Sequence, residues 1–350
     1  MIAGKLGVLG LALALALACN QEVQAYDKAR IFTSLEDTGQ IAVIDPSAEQ
    51  VITNIPVGKR PRGIKLSRDG KVLYVALSGS PVAGPGVDES KLPPPDRSAD
   101  GIGIVDLSTY KLIRILASGQ DPETFDVSQD GTRLYVSNEE TAEVTVVDVT
   151  TGAILKRVAI GKEPEGVTVR PDGNFIYVAC EGDSEVVAID AASLKVVSRM
   201  HTGLRPRSIA FSKDGSTAFV TAERSGSVTV LDSLKHRTTS MIEIPSISAK
   251  SPARPMGSVL SPDGNYLFVS TGRGESVAVI KMSNRRILRS IKDVGSRPWG
   301  LDVSSDGKYI YTANGPSNDV SIIEADTGRI KNRVKVGGRP WGLVAAQSSR

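Results

Sequence analysis

The stretch EPEGVTVRPDGNFIYVACEGDSEVVAIDAASLKVVSRMHTG (Glu163–Gly203) holds one complete unit of a repeat. Four short runs rich in Val, Ile, Tyr and Phe stand out in it: Gly166–Val169, Phe175–Cys180, Glu185–Asp190 and Lys195–Met200. Each is bounded by turn formers, the pattern of short strands joined by tight connections. Pro171-Asp172-Gly173 links the first two, with Gly173 suited to the positive φ of a hairpin. Asp190 closes the third run, where a short acceptor can bond the backbone of the next turn.

The phrase that opens this unit recurs seven times. It reads RPRG (Arg60–Gly63), DPET (Asp121–Thr124), EPEG (Glu163–Gly166), RPRS (Arg205–Ser208), RPMG (Arg254–Gly257), RPWG (Arg297–Gly300) and RPWG (Arg339–Gly342). Successive prolines lie 61, 42, 42, 49, 43 and 42 residues apart. Asp-Gly turns recur with them at Asp69-Gly70, Asp130-Gly131, Asp214-Gly215, Asp263-Gly264 and Asp306-Gly307. A period near 42 with four antiparallel strands per unit predicts an all-β, seven-bladed β-propeller. Residues 30–58 supply the second to fourth strands of a blade, and Arg339–Ala346 supplies a first strand without partners. Joined, they close the ring from both termini and leave no open edge.

The repeat overrides the usual expectation of several domains for 350 residues, giving one propeller over residues 26–350. Residues 1–25 read as an export signal, with Lys5 before the thirteen-residue apolar run Leu6–Ala18. Two cleavage readings stand side by side. Val23-Gln24-Ala25 is a small-residue site that would start the mature chain at Tyr26, and Leu15–Cys19 resembles a lipobox that would make residues 1–18 the signal and lipidate Cys19. Either way the expected location is the periplasm, free or lipid-anchored, with no transmembrane segment. A formal net charge of +3 with interspersed signs argues against a nucleic-acid binder. Past Ala25 only Cys180 remains, at a strand end where a small buried hydrophobe fits. A monomer is expected.

In a propeller the loop before each innermost strand and the loop joining strands two and three share one face. The repeated phrases therefore crowd one mouth of the central channel. Around the ring they bring Arg60 and Arg62, Asp121 and Glu123, Glu163 and Glu165, Arg205 and Arg207, Arg254 and Met256, Arg297 and Trp299, and Arg339 and Trp341. Seven Arg face four acids, an acidic sector on blades three and four and a basic arc on the other five. In one reading each Arg pairs with acids of the neighbouring blades; like charges about 10 Å apart repel by only about 0.4 kcal/mol in water. In the other, the Arg arc and the two tryptophans form a ligand or partner site, since Arg gives bidentate donors and stacks on rings.

Two insertions lie on the same face. About 19 extra residues fall within Ser78–Gly101 and about seven within Ile244–Ala253. The first is Pro/Gly-rich, and loops of that length are commonly functional, so a flap beside the mouth is expected. His201 and His236, the only histidines, read as surface residues, and no metal site, haem motif or Ser-His-Asp set is found.

The second-strand phrases YVAL (Tyr74–Leu77), YVSN (Tyr135–Asn138), YVAC (Tyr177–Cys180), FVTA (Phe219–Ala222), FVST (Phe268–Thr271) and YTAN (Tyr311–Asn314) resemble the YVTN-type β-propeller repeat. VGKRPRGI, DPETF, EPEGV, RPRSIAF and NGPSNDVSII resemble the exported propellers associated with PQQ-dependent alcohol catabolism. That resemblance implies a periplasmic seven-bladed propeller working near quinoprotein alcohol oxidation, without implying an activity, and the leading expectation is a non-enzymatic accessory protein. Its Arg-rich face would bind a periplasmic redox protein, a quinoprotein dehydrogenase or a small anion, and PQQ with its carboxylates would suit the basic arc. No resident cofactor is expected. Two alternatives compete: an enzyme of lactonase or lyase type using Glu123, Glu163 or Glu165 at the channel mouth, and a nucleic-acid-binding propeller.

Overall fold

The computed structural model describes residues 29–82 and 91–346. The export segment with Cys19, and residues 83–90 of the longer insertion, lie outside them. Among the described residues, twenty-eight strands form seven four-stranded antiparallel sheets around a central channel. Blade four runs Pro164–Val169, Phe175–Cys180, Glu185–Asp190 and Lys195–His201, close to the runs read from the sequence. Blade one is closed as expected: Pro340–Ala346 pairs antiparallel with Arg30–Leu35, which continues to Gln40–Asp45 and Gln50–Pro56. No helix among the described residues is long and apolar enough to cross a membrane.

The turn chemistry explains why the strands form where they do. Gly70, Gly131, Gly173, Gly215, Gly264 and Gly307 all take φ between 70° and 77°, and the Asp before each caps the turn backbone, as Asp69 Oδ1 does for the Lys71 N–H at 3.1 Å. Asp45, Asp106, Asp148, Asp190 and Asp232 accept from the backbone of the following turn, a structural role. Apolar residues on facing blades fill the layers between sheets, for example Phe32, Leu73 and Val75 between blades one and two. Cys180 is fully buried in such a layer, and burial pushes its thiol up to about 12, so it is inert packing.

His236 departs from its expected surface position. The turn carrying it folds over blade four, its ring 4.7 Å from that of Phe175 and its Nδ1 2.7 Å from the Tyr177 hydroxyl. Burial lowers its pKa, with Arg170 adding to the effect. His201 is exposed, as expected.

Candidate functional site

The repeated phrase builds the channel wall by a shared local geometry. Its proline begins the innermost strand in six blades, a position that needs no donated hydrogen bond. The residue before it is left-handed in the same six: Arg60, Asp121, Glu163, Arg205, Arg297 and Arg339 have φ between 41° and 63°. In blades two to five and seven the pairing register then shifts between the proline and the third residue after it, a bulge that re-aims the side chains beside it. The fourth phrase residue must be small: a Cβ on Gly166 would sit 2.0 Å from the Arg207 carbonyl oxygen of the next blade. Where Thr124 replaces glycine, its hydroxyl donates to that neighbouring position, the Glu165 carbonyl, at 2.6 Å.

The third phrase position thus forms a constriction of Arg62, Glu123, Glu165, Arg207, Met256, Trp299 and Trp341. Above it lies a mouth pocket of about 210 Å³, lined among others by Glu36, Glu139, Arg205, Arg297 and Arg339. Below it lies a channel chamber of about 220 Å³. Glu165, Arg207, Trp299 and Trp341 line both.

Blades two to five form a dense ionic network. Arg62, 1% exposed, is 2.5 Å from Asp121 and also contacts Glu123. Arg60 reaches Glu36 at 2.9 Å and Asp121 at 3.7 Å. Arg207 contacts Glu165, Glu181 at 2.7 Å and Glu223 at 2.9 Å, and Arg205 adds contacts to Glu181 and Glu223. Burial works against the Arg207 charge, but these three carboxylates outweigh it and push its pKa up. Glu181 is pushed up to about 8 by burial and by the adjacent Glu165, with both Arg opposing.

Glu139 differs from its neighbours. Its side chain is 38% exposed, it lines the mouth, and its nearest cation, Arg62, is 3.7 Å away. Burial and then the Glu165 charge push its carboxyl up to about 7. The aromatic side is built otherwise. Trp299 and Trp341 are 5.2 Å apart at 34°, and the guanidinium groups of Arg297 and Arg207 each lie 5.1 Å from the Trp299 ring centre. Burial lowers the Arg297 pKa, with Glu223 opposing and Arg207, Arg273 and Arg339 reinforcing the decrease. Arg339 reaches Glu36 at 3.5 Å and Asp37 at 3.8 Å.

Most of the ring read from the sequence does converge, with two departures. Glu163 is exposed and outside both cavities. Arg254 does not line the mouth, because the Ile244–Ala253 insertion reroutes the chain: it lacks the left-handed turn, and the inner strand of blade six begins only at Ser258. Met256 is buried against the chamber. The stem of the longer insertion is fastened at the mouth. Ser78 donates to Asp121 at 2.5 Å, Arg97 contacts Glu140, and Val82 lines the pocket.

Sequence reasoning missed Glu36, Glu139, Glu181 and Glu223. A signal for them existed: each directly follows a second strand, in LE, NE, CE and AE. With Glu163 set aside, they raise the ring carboxylates from three to seven and compensate Arg60, Arg205 and Arg207 of the basic arc. Among the described residues no group of three or more His, Cys, Asp or Glu is arranged to hold a metal ion.

Comparison with known proteins fits this geometry. The family model described as "Lactonase, 7-bladed beta-propeller" matches residues 166–340, and one described as "YNCE-like beta-propeller" matches residues 88–173. No curated protein matches. Among solved structures, the chain is similar to the Pseudomonas aeruginosa periplasmic gluconolactonase PpgL, with 19% identity, a TM-score of 0.71, and coverage of 92% of this chain and 99% of the other. It is also similar to Kuenenia stuttgartiensis hydrazine synthase, at 22% identity and a TM-score of 0.68 over 82% and 92% of the two chains. A functionally unknown protein from Desulfotomaculum acetoxidans gives 13%, 0.74, 91% and 99%. At these identities the structures share the fold. The lactonase match overturns the expectation of a non-enzymatic protein that binds a partner or small anion beside PQQ-dependent oxidation.

Proposed function

We propose that the mouth pocket opens lactone rings; the chain belongs to the seven-bladed β-propeller lactonase family. The observation that carries the assignment is Glu139. Of the carboxylates lining the mouth, Glu36, Glu123 and Glu165 are each held by a close Arg, whereas Glu139 keeps 3.7 Å from its nearest cation and titrates near neutrality. A general base works best when its pKa lies near the working pH.

In this reading Glu139 takes a proton from water as the hydroxyl oxygen bonds to the lactone carbonyl carbon. Arg297, which has no carboxylate ion pair among the described residues, faces the oxyanion that develops. Collapse breaks the ring C–O bond, and the leaving alkoxide takes the proton back, giving the hydroxy acid. Arg60, Arg62 and Arg207 hold the other carboxylates in place and leave Glu139 as the ionisable group at the pocket surface. The leader carrying Lys5 and Leu6–Ala18 would place the reaction in the periplasm, the location named for the Pseudomonas gluconolactonase. The resemblance to PQQ-associated propellers rests on the phrases quoted above and adds nothing to this assignment.

The test is hydrolysis of simple γ- and δ-lactones by the mature protein. Glu139→Gln should lower kcat/KM by about a hundredfold or more with the fold intact. Because the base must be ionised, wild-type kcat/KM should rise with pH through about 7 and then level off. Turnover unchanged in Glu139→Gln would remove the assignment.

A further inference from the structure

The chamber below the constriction plays no part in the mechanism above, yet it opens onto the same residues. Trp299, Trp341, Glu165 and Arg207 line both cavities, so a ligand in the mouth can extend past these four side chains into the channel. The chamber walls carry Ile64, Phe125, Val167, Ile209, Leu301 and Leu343.

Most of its polar side chains are paired within the protein. Lys65 is 2.9 Å from Asp126, Thr168 donates to the Ile209 carbonyl at 2.9 Å, and Ser208 and Ser258 bond each other at 3.0 Å. Thr124 donates to the Glu165 carbonyl, and Glu165 and Arg207 bind each other. A polar guest would lose its water and gain few new side-chain partners, whereas an apolar guest has no hydrogen bonds to lose. At the fourth phrase position five glycines, Gly63, Gly166, Gly257, Gly300 and Gly342, leave only the short side chains of Thr124 and Ser208 on the wall.

We infer that the chamber is the subsite for an apolar substituent of the lactone, so that the preferred substrate is an alkyl- or aryl-substituted lactone whose ring stays in the mouth. This rests on the lactone-opening reading for its turnover, but the binding of the substituent is measurable separately. Trp299 and Trp341 are the only tryptophans in the chain and stand at the passage, so intrinsic fluorescence reports occupancy without turnover.

The experiment compares γ-butyrolactone with γ-lactones carrying ethyl to octyl chains. In the wild type, kcat/KM should climb about fourfold per methylene until the chamber is filled, and the longer lactones should shift or quench tryptophan emission where γ-butyrolactone does not. Thr168→Phe and Ser258→Leu fill the chamber without touching the mouth. Each should flatten the chain-length dependence while γ-butyrolactone is hydrolysed as before. Equal kcat/KM along the wild-type series, or an undiminished slope in a folded filling variant, would overturn the inference. If no lactone is hydrolysed at all, the lactone-opening reading fails, and the fluorescence titration decides the chamber alone: a response to the octyl lactone supports the apolar subsite, and none overturns it. If neither variant folds, the wild-type slope and titration still decide it.

Discussion

Blades two to five place Arg62, Glu123, Glu165 and Arg207 at the third phrase position, whereas blades six, seven and one place Met256, Trp299 and Trp341 there. The backbone is largely the same in both halves: a proline starts the strand and a small residue lets the next blade approach. What differs is the compensation each side chain demands. The buried charges require counter-charges, and Glu181 and Glu223 supply them to Arg207 from the position after the second strand. On blades six and seven the corresponding residues are Gly272 and Gly315, and Gly315 lines the mouth beside the tryptophans. The same backbone thus carries either constriction, although blade one joins Trp341 to Glu36, whose partner is Arg60 of blade two.

The comparison can be broken most severely at Arg207. Its side chain is 9% exposed, and Arg207→Met would leave Glu165, Glu181 and Glu223 facing one another. We expect a loss of about 3–5 kcal/mol in urea denaturation. A pH dependence should sharpen the picture next. Glu181 has a folded pKa raised to about 8, so the native state binds a proton that the unfolded chain has released. Its contribution is fully present below the ordinary carboxylate pKa and is lost as pH rises through about 8. Glu181→Gln should therefore reduce the fall in denaturation midpoint between acid and mildly alkaline pH.

The aromatic half should respond less. A double-mutant cycle on Trp299→Leu and Trp341→Leu should give a coupling of about 1 kcal/mol, the scale of one aromatic pair. Smallest of all, Arg339→Ala at the rim should change stability by no more than about 0.5 kcal/mol, since its contacts to Glu36 and Asp37 are long and a third of the side chain is exposed. A loss at Arg339 as large as that at Arg207 would erase the distinction between a buried network and a rim.

The blade pattern was legible because each unit repeats its own local chemistry. Asp172-Gly173 makes the same turn as Asp306-Gly307, and Phe175–Cys180 is buried after its first residue like Tyr309–Asn314. Ring closure was legible too, since unpaired strands at the two ends have only each other. The convergence of the seven phrases at one mouth followed from the same symmetry. The site's chemistry was not. Counting phrases gave a surplus of Arg, because the opposing carboxylates sit in a different loop of each blade and meet the Arg only once the sheets are stacked. Arg254 and Met256 look equivalent to their counterparts in sequence, yet seven inserted residues displace the first while leaving the second against the chamber.

By itself, then, the sequence determined what is local and periodic: four strands per unit, the turn at each Asp-Gly, the small residue at each inner strand, and the number of blades. The tertiary structure alone decided which charges cancel, which carboxylate stays uncompensated, and which side chains face a common cavity. Those outcomes depend on burial and on distances of a few ångströms between residues far apart in the chain, such as Arg62 and Glu139 or Arg207 and Trp299. A repeat fixes the frame in which those distances arise, and the packing of unlike blades sets their values.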